Sequence, residues 1–187
     1  THNPLFVDRV RPAANILVTG GKARPAQDVL EIRKVLGVRA SDNLQHAEIV
    51  VLAEGMADCK ALAALLRSHS KTIAAALDSH AMAFENLNGA SNLSYKTSLL
   101  RSAICSVHCV LDDDDAGHRA FQSARDEGLL SQAETNFTTC RGRAQAELED
   151  LYDPELYKAP LMSQYGVPLG GRPFRNNRKW TERRAPT

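Results

Sequence analysis

Two apolar runs that each end in acid constrain this chain more than any other feature of its sequence. Ile49-Val50-Val51-Leu52-Ala53 runs into Glu54-Gly55-Met56-Ala57-Asp58. Val107-His108-Cys109-Val110-Leu111 runs into Asp112-Asp113-Asp114-Asp115-Ala116-Gly117. Short apolar runs separated by helical stretches belong to a parallel sheet covered on both faces. In such sheets ligands bind beyond the carboxyl ends of the strands, so both acidic motifs are expected to project into one crevice. Carboxylates crowded there repel one another and take up protons unless a cation holds them ionised. The reading is a divalent-metal site and, with it, phosphate chemistry.

The 187 residues suffice for one good core, or for one domain and part of a second. Hydrophobic content of 43% and charged content of 24% are those of a globular chain. A net charge of +1 gives no overall attraction for a polyanion, but the charge is uneven. Residues 172–184 hold Arg172, Arg175, Arg178, Lys179, Arg183 and Arg184 against Glu182. No apolar run approaches the roughly 18 residues that cross a membrane, and the amino end lacks a signal pattern, so no membrane partner is expected. The chain does not begin with Met and reads as a piece of a longer one. Cys59, Cys105, Cys109 and Cys140 fit no zinc spacing. Buried free thiols are expected, which suits a reducing, cytoplasmic setting.

Along the chain, a short strand at 15–19 closes on Gly20-Gly21, and a helix over 26–36 stops at Gly37. Strands are expected at 48–53, 81–87, 105–111 and 134–138, and helices at 57–66, 72–77, 94–103 and 116–127. The stretch 141–157 reads as a polar, acidic and mostly helical segment broken at Pro154, and the last thirty residues as irregular. Alternating β and α elements give an α/β fold with a mainly parallel sheet flanked by helices.

Within the motifs, Asp58 lies one helical turn from Glu54 and suits the first turn of the next helix. Asp112 is the first residue past its strand. If extended backbone persists, Asp112 and Asp114 share a side, and Asp113 and Asp115 read as solvated.

A Glu-Gly-x-x-Asp strand end followed by an Asp-x-Asp-x-x-Gly strand end resembles the Toprim domain of topoisomerases, bacterial primases, recombination mediators and certain nucleases. The resemblance implies that Glu54, Asp58, Asp112 and Asp114 organise Mg²⁺, with Gly55 and Gly117 in tight turns. The segment 1–7 resembles the switch-histidine region near the end of an ABC-type ATPase domain. The stretches Ile32–Gly37 and Ser41–Leu44, and the acidic 141–157 segment, are similar to those of overcoming-lysogenization-defect (OLD) nucleases, in which an ATPase domain precedes a Toprim nuclease.

The organisation so implied is an ATPase-domain tail or linker strand at 1–24, a linking helix at 25–47, a Toprim core at 48–140, and an acidic helix with a basic extension at 141–187. No Walker-type loop is present, so no ATP site is expected in this chain alone. The implied activity is a metal-dependent DNA endonuclease using two Mg²⁺ or Mn²⁺ ions, with a role in phage defence. Glu149 and Glu147 would complete the second ion site. Lys179 is the candidate catalytic cation, with Arg178 or Arg175 as alternatives, and Arg172, Arg175, Arg178, Lys179 and Trp180 are the candidate DNA contacts. His118 reads as a surface residue. Partners are DNA and the upstream ATPase domain, with oligomers expected only through that domain. The rival readings are a non-catalytic Toprim scaffold and a primase-like or topoisomerase-like Toprim.

Overall fold

The structure, a computed structural model, describes residues 6–8, 11–36, 47–170, 174 and 177–183. The expectations placed on residues 1–5, on Ser41–Leu44, and on Arg172 and Arg175 fall outside that set. The two apolar runs form adjacent parallel strands, β3 (Ile49–Ala53) and β5 (Ser106–Leu111). β4 (Met82–Asn86) and β6 (Thr135–Phe137) complete a four-stranded parallel sheet in the order β4-β3-β5-β6. Val50, Val51, Leu52 and Ala53 are all buried, as a central strand covered on both faces requires.

Helices fill the crossovers. α2 (Met56–His69) and α3 (Lys71–Asp78) pack on β3 and β4, α4 (Leu93–Ser102) packs on β5, and α5 (Asp115–Asp126) packs on α4. The core gathers Val50, Leu52, Leu87, Leu93, Leu100, Val107, Leu111 and Phe121. Cys59, Cys105 and Cys109 are buried free thiols, and burial pushes the Cys109 thiol up to about 11, where it is inert. Among the described residues no helix is long and apolar enough to cross a membrane.

Ahead of this sheet the expected lone strand is one arm of a hairpin. β1 (Ile16–Thr19) pairs antiparallel with β2 (Lys22–Pro25). Gly20 and Gly21 both take positive φ, as the two-residue turn between twisted strands demands. β2 escaped the sequence reading because Lys22-Ala23-Arg24-Pro25 is exposed throughout and carries no apolar alternation. Leu17 and Ala26 bury with Ile32 of α1 (Val29–Leu36) against Ile104, which follows α4. Arg33 of α1 is buried and donates through Nη1 to the Ala47 carbonyl at 2.6 Å.

The carboxyl-terminal third departs further from expectation. The 141–157 segment is not a helix. It is a turn and an extended stretch with two short 3-10 turns, Leu148–Leu151 and Pro154–Leu156. An isolated antiparallel bridge between Asp113 and Ala146 takes its place. That pairing comes from a residue far away in sequence, so no local periodicity announces it. A helix does form beyond it, α6 (Lys158–Tyr165), where an irregular tail was expected. Pro160 is tolerated in its first turn, and Gly166 ends it in the left-handed conformation.

Candidate active site at the strand ends

β3 and β5 leave the sheet side by side, since Ala53 pairs with Val110. Their acidic ends are tied directly: the Asp112 amide donates to Glu54 Oε1 at 3.0 Å. Asp58, in the first turn of α2, accepts the Gly55 amide on Oδ2 at 2.8 Å. Asp114 caps α5, its Oδ1 accepting from the amides of Ala116 (2.9 Å) and Gly117 (2.8 Å). Gly117 is demanded by space. A Cβ there would lie 2.3 Å from the Asp112 carbonyl oxygen and 3.4 Å from Glu54 Oε1.

The alternation expected across the four aspartates holds in part. Asp112 faces Glu54 across the strand ends, Asp114 faces Lys179, and Asp115 is exposed. Asp113 is not simply solvated. Its backbone exchanges hydrogen bonds with Ala146 at 2.9 and 3.0 Å, and its Oδ1 accepts from His118 Nε2 at 2.7 Å. His118 in turn stacks on Phe137 with ring centroids 4.2 Å apart. His118, which reads as a surface residue from its sequence context, is exposed but held on two sides.

The Asp113–Ala146 bridge brings Glu147, which is buried, to the acidic group. Lys179 Nζ lies between Asp114 Oδ2 at 2.8 Å and Glu147 Oε1 at 3.1 Å. Thr181 supports Glu147 twice, through its amide to Oε2 (2.8 Å) and its hydroxyl to Oε1 (2.7 Å). Asp150, whose side chain is wholly buried, anchors the same segment. It accepts from the amides of Glu147 and Trp180 and pairs with Arg183, with Arg143 Nε at 3.7 Å. Trp180 packs its ring against Tyr157 and Phe174, with Arg183 over its face at 5.3 Å, so its ring is engaged within the chain. Asp150 and Thr181 were missed by the sequence reading, because nothing local marks a pairing across 30 or 34 residues. Glu149 sits in the 3-10 turn, where its charge is felt by the Tyr152 and Tyr157 hydroxyls; burial first, then Glu149, pushes Tyr152 up.

The electrostatics divide the site in two. Burial, then the neighbouring Glu54, Asp58, Glu147 and Asp114 charges, pushes Asp112 up to about 7. Glu54 and Asp58 are raised as well, burial being the largest cause in each. For Asp114 burial works upward but is outweighed by Lys179 and by the helix-end amides, so its pKa falls below the ordinary value. Glu147 is lowered likewise, its burial overcome by Thr181 and Lys179. Lys179 is raised, first by its hydrogen bond to Asp114.

Beside these acids opens a cleft of about 430 Å³ lined by Asp114, His118, Gln145, Asn177, Arg178 and Lys179, among others. Among the described residues, no three His, Cys, Asp or Glu side chains stand together as a ready-made metal-binding group. The acids are near enough to raise one another's pKa but are not drawn into a cage. No protein-family model matches this chain, and no curated protein sequence matches it significantly.

Proposed function

We propose that this chain is the Toprim nuclease region of an OLD-family protein and that it hydrolyses DNA phosphodiesters with Mg²⁺ or Mn²⁺. The observation that carries the reading is the group Glu54, Asp58 and Asp112, raised in pKa at adjacent parallel strand ends beside the Lys179 ion pairs. The donor chemistry fits hard divalent cations, which take carboxylate oxygens as ligands and as charge balance. Glu54, Asp58 and Asp112 would hold one ion; a second, at Asp114 and Glu147 with Glu149, would take the place that Lys179 Nζ holds between those two carboxylates. Bound ions of this kind supply an activated water and stabilise the leaving oxygen.

The protein's own residues do the rest. Gly55 and Gly117 let the two acidic turns close on each other without a Cβ in the way. Lys179, held between two carboxylates, is the cation placed to meet charge building on a scissile phosphate. Arg178 on the cleft rim, with Arg172 and Arg175 of the same basic stretch, would follow the phosphate backbone. Because the acids are not caged, a cation must draw them together, and relief of their mutual repulsion favours that movement. The upstream ATPase partner and a role in phage defence belong to the same proposal through the family resemblance.

Supercoiled plasmid is the test. Nicking in Mn²⁺ or Mg²⁺ that disappears with chelator and with Asp112→Ala is the expected result. Nicking that survives either change would remove the acidic site from the reaction, and a folded chain inert in every metal would favour the scaffold reading.

A further inference from the structure

A ladder of rings leads from the core into the cleft beside the acids, and the hydrolytic scheme leaves it unused. Phe121 of α5, buried in the core, meets Phe137 of β6 edge-on, with centroids 5.8 Å apart and planes at 86°. Phe137 then stacks on His118 at 4.2 Å and 21°. Asp113 holds the edge of the same imidazole by accepting from Nε2 at 2.7 Å, and the Asp113 backbone is itself pinned to Ala146. The ring is therefore fixed by one face and one edge, yet 53% of the side chain remains exposed. It lines the cleft together with Gln145, Asn177, Arg178 and Lys179, and with the acids Asp113, Asp114, Asp115 and Glu182.

A fixed aromatic ring that is half exposed, beside side-chain amides and two cations, has features by which proteins hold an extruded nucleobase, and the acids of the cleft favour a base edge over a second phosphate there. The ring receives the base's π-face, amides meet its edge, and cations meet the adjoining phosphates. We propose that this cleft is a subsite for one unstacked nucleobase of the DNA substrate, stacked on His118; the inference rests on the nuclease reading above. Gln145 and Asn177 face the base edge, and Arg178 and Lys179 its flanking phosphates. A base inside an intact duplex is already stacked on its neighbours and must be taken out to offer a face. The subsite therefore selects single-stranded, flapped or locally opened DNA over closed duplex.

Fluorescence anisotropy of a labelled single-stranded dodecamer and of its duplex, titrated with the full chain in Ca²⁺, tests this without requiring turnover. Expected is a loss of roughly tenfold or more in single-strand affinity for His118→Ala. His118→Phe, which keeps a stacking face and loses the Asp113 bond, should restore most of it, and duplex affinity should change little in either variant. Equal single-strand affinity in His118→Ala and the unsubstituted chain overturns the subsite. So does an equal loss on both substrates, or a His118→Phe variant no better than His118→Ala. Failure to nick plasmid would instead strike the nuclease reading, so the two failures are separable.

Discussion

The two halves of the acidic site differ in how their charge is met. Asp114 and Glu147 share an internal cation, Lys179, and their pKa values are lowered. Among the described residues no cation pairs directly with Glu54, Asp58 or Asp112; burial and like charge raise all three, Asp112 to about 7, although Lys179 acts weakly downward on Glu54. One half is an ion-pair network that fastens the carboxyl-terminal segment to the sheet. The other is kept at an electrostatic cost. On the function proposed above, the charge that the described residues leave unpaired at Glu54, Asp58 and Asp112 would be met by a cation supplied from outside.

The largest expected effect is on the uncompensated half. Asp112→Ala or Glu54→Ala should lower metal-dependent nicking by two orders of magnitude or more, on the scale of removing a group that stabilises developing charge, about 3 kcal/mol. The same Asp112 change should leave the metal-free fold intact and its melting temperature no lower, because it removes repulsion. A variant that unfolds would show that Asp112 is structural.

Lys179→Met breaks the other half. Two mostly buried carboxylates would lose their cation, at a cost to stability of about 3 kcal/mol, read as a lower denaturant midpoint. Mn²⁺ should recover more stability in this variant than in the unsubstituted chain; equal gains would place the ion away from Asp114 and Glu147.

Gly117→Ala tests the geometry joining the halves. A Cβ 2.3 Å from the Asp112 carbonyl oxygen forces the Asp turn to shift, costing about 2 kcal/mol by overpacking. A midpoint unchanged by this substitution would show the turn to be pliable.

The pH profile probes the unpaired half without substitution. A carboxyl whose folded pKa is raised contributes stability in full below its unfolded pKa and loses it as pH rises through the folded value. For Asp112 that window runs from about 4 to about 7. Asp114 and Glu147, lowered, act the other way, but they are already ionised above that window's lower edge. The chelated chain should therefore lose stability as pH rises through the window, and saturating Mn²⁺ should flatten the slope. A flat profile in chelator would contradict the uncompensated half.

The two regions also differ in how far their sequences foretold them. Strands β3 and β5 and their acidic ends were legible because apolar runs bounded by Gly and Asp are local signals, and register then brings Glu54 to Asp112. The hairpin arm β2 was not, since its residues are exposed and only the Gly20-Gly21 turn marked it. The carboxyl-terminal segment was least legible. Residues 141–157 read as an acidic helix, yet Glu147 is extended, and Lys179 reaches Asp114 across 65 positions. Contacts that depend on one bridge at Ala146 and one buried hub at Asp150 leave no period in the sequence. His118 lost its weight for the same reason, because its partners Asp113 and Phe137 are assembled by the fold.

The most direct test is calorimetric titration of Mn²⁺ into the full chain at pH 8, beside Asp112→Asn, which keeps the shape and removes the charge. Saturable binding by the unsubstituted chain, lost or much weakened in the variant, is the predicted result. Equal binding by both, or none by either, would contradict a site built to receive its missing charge from a cation.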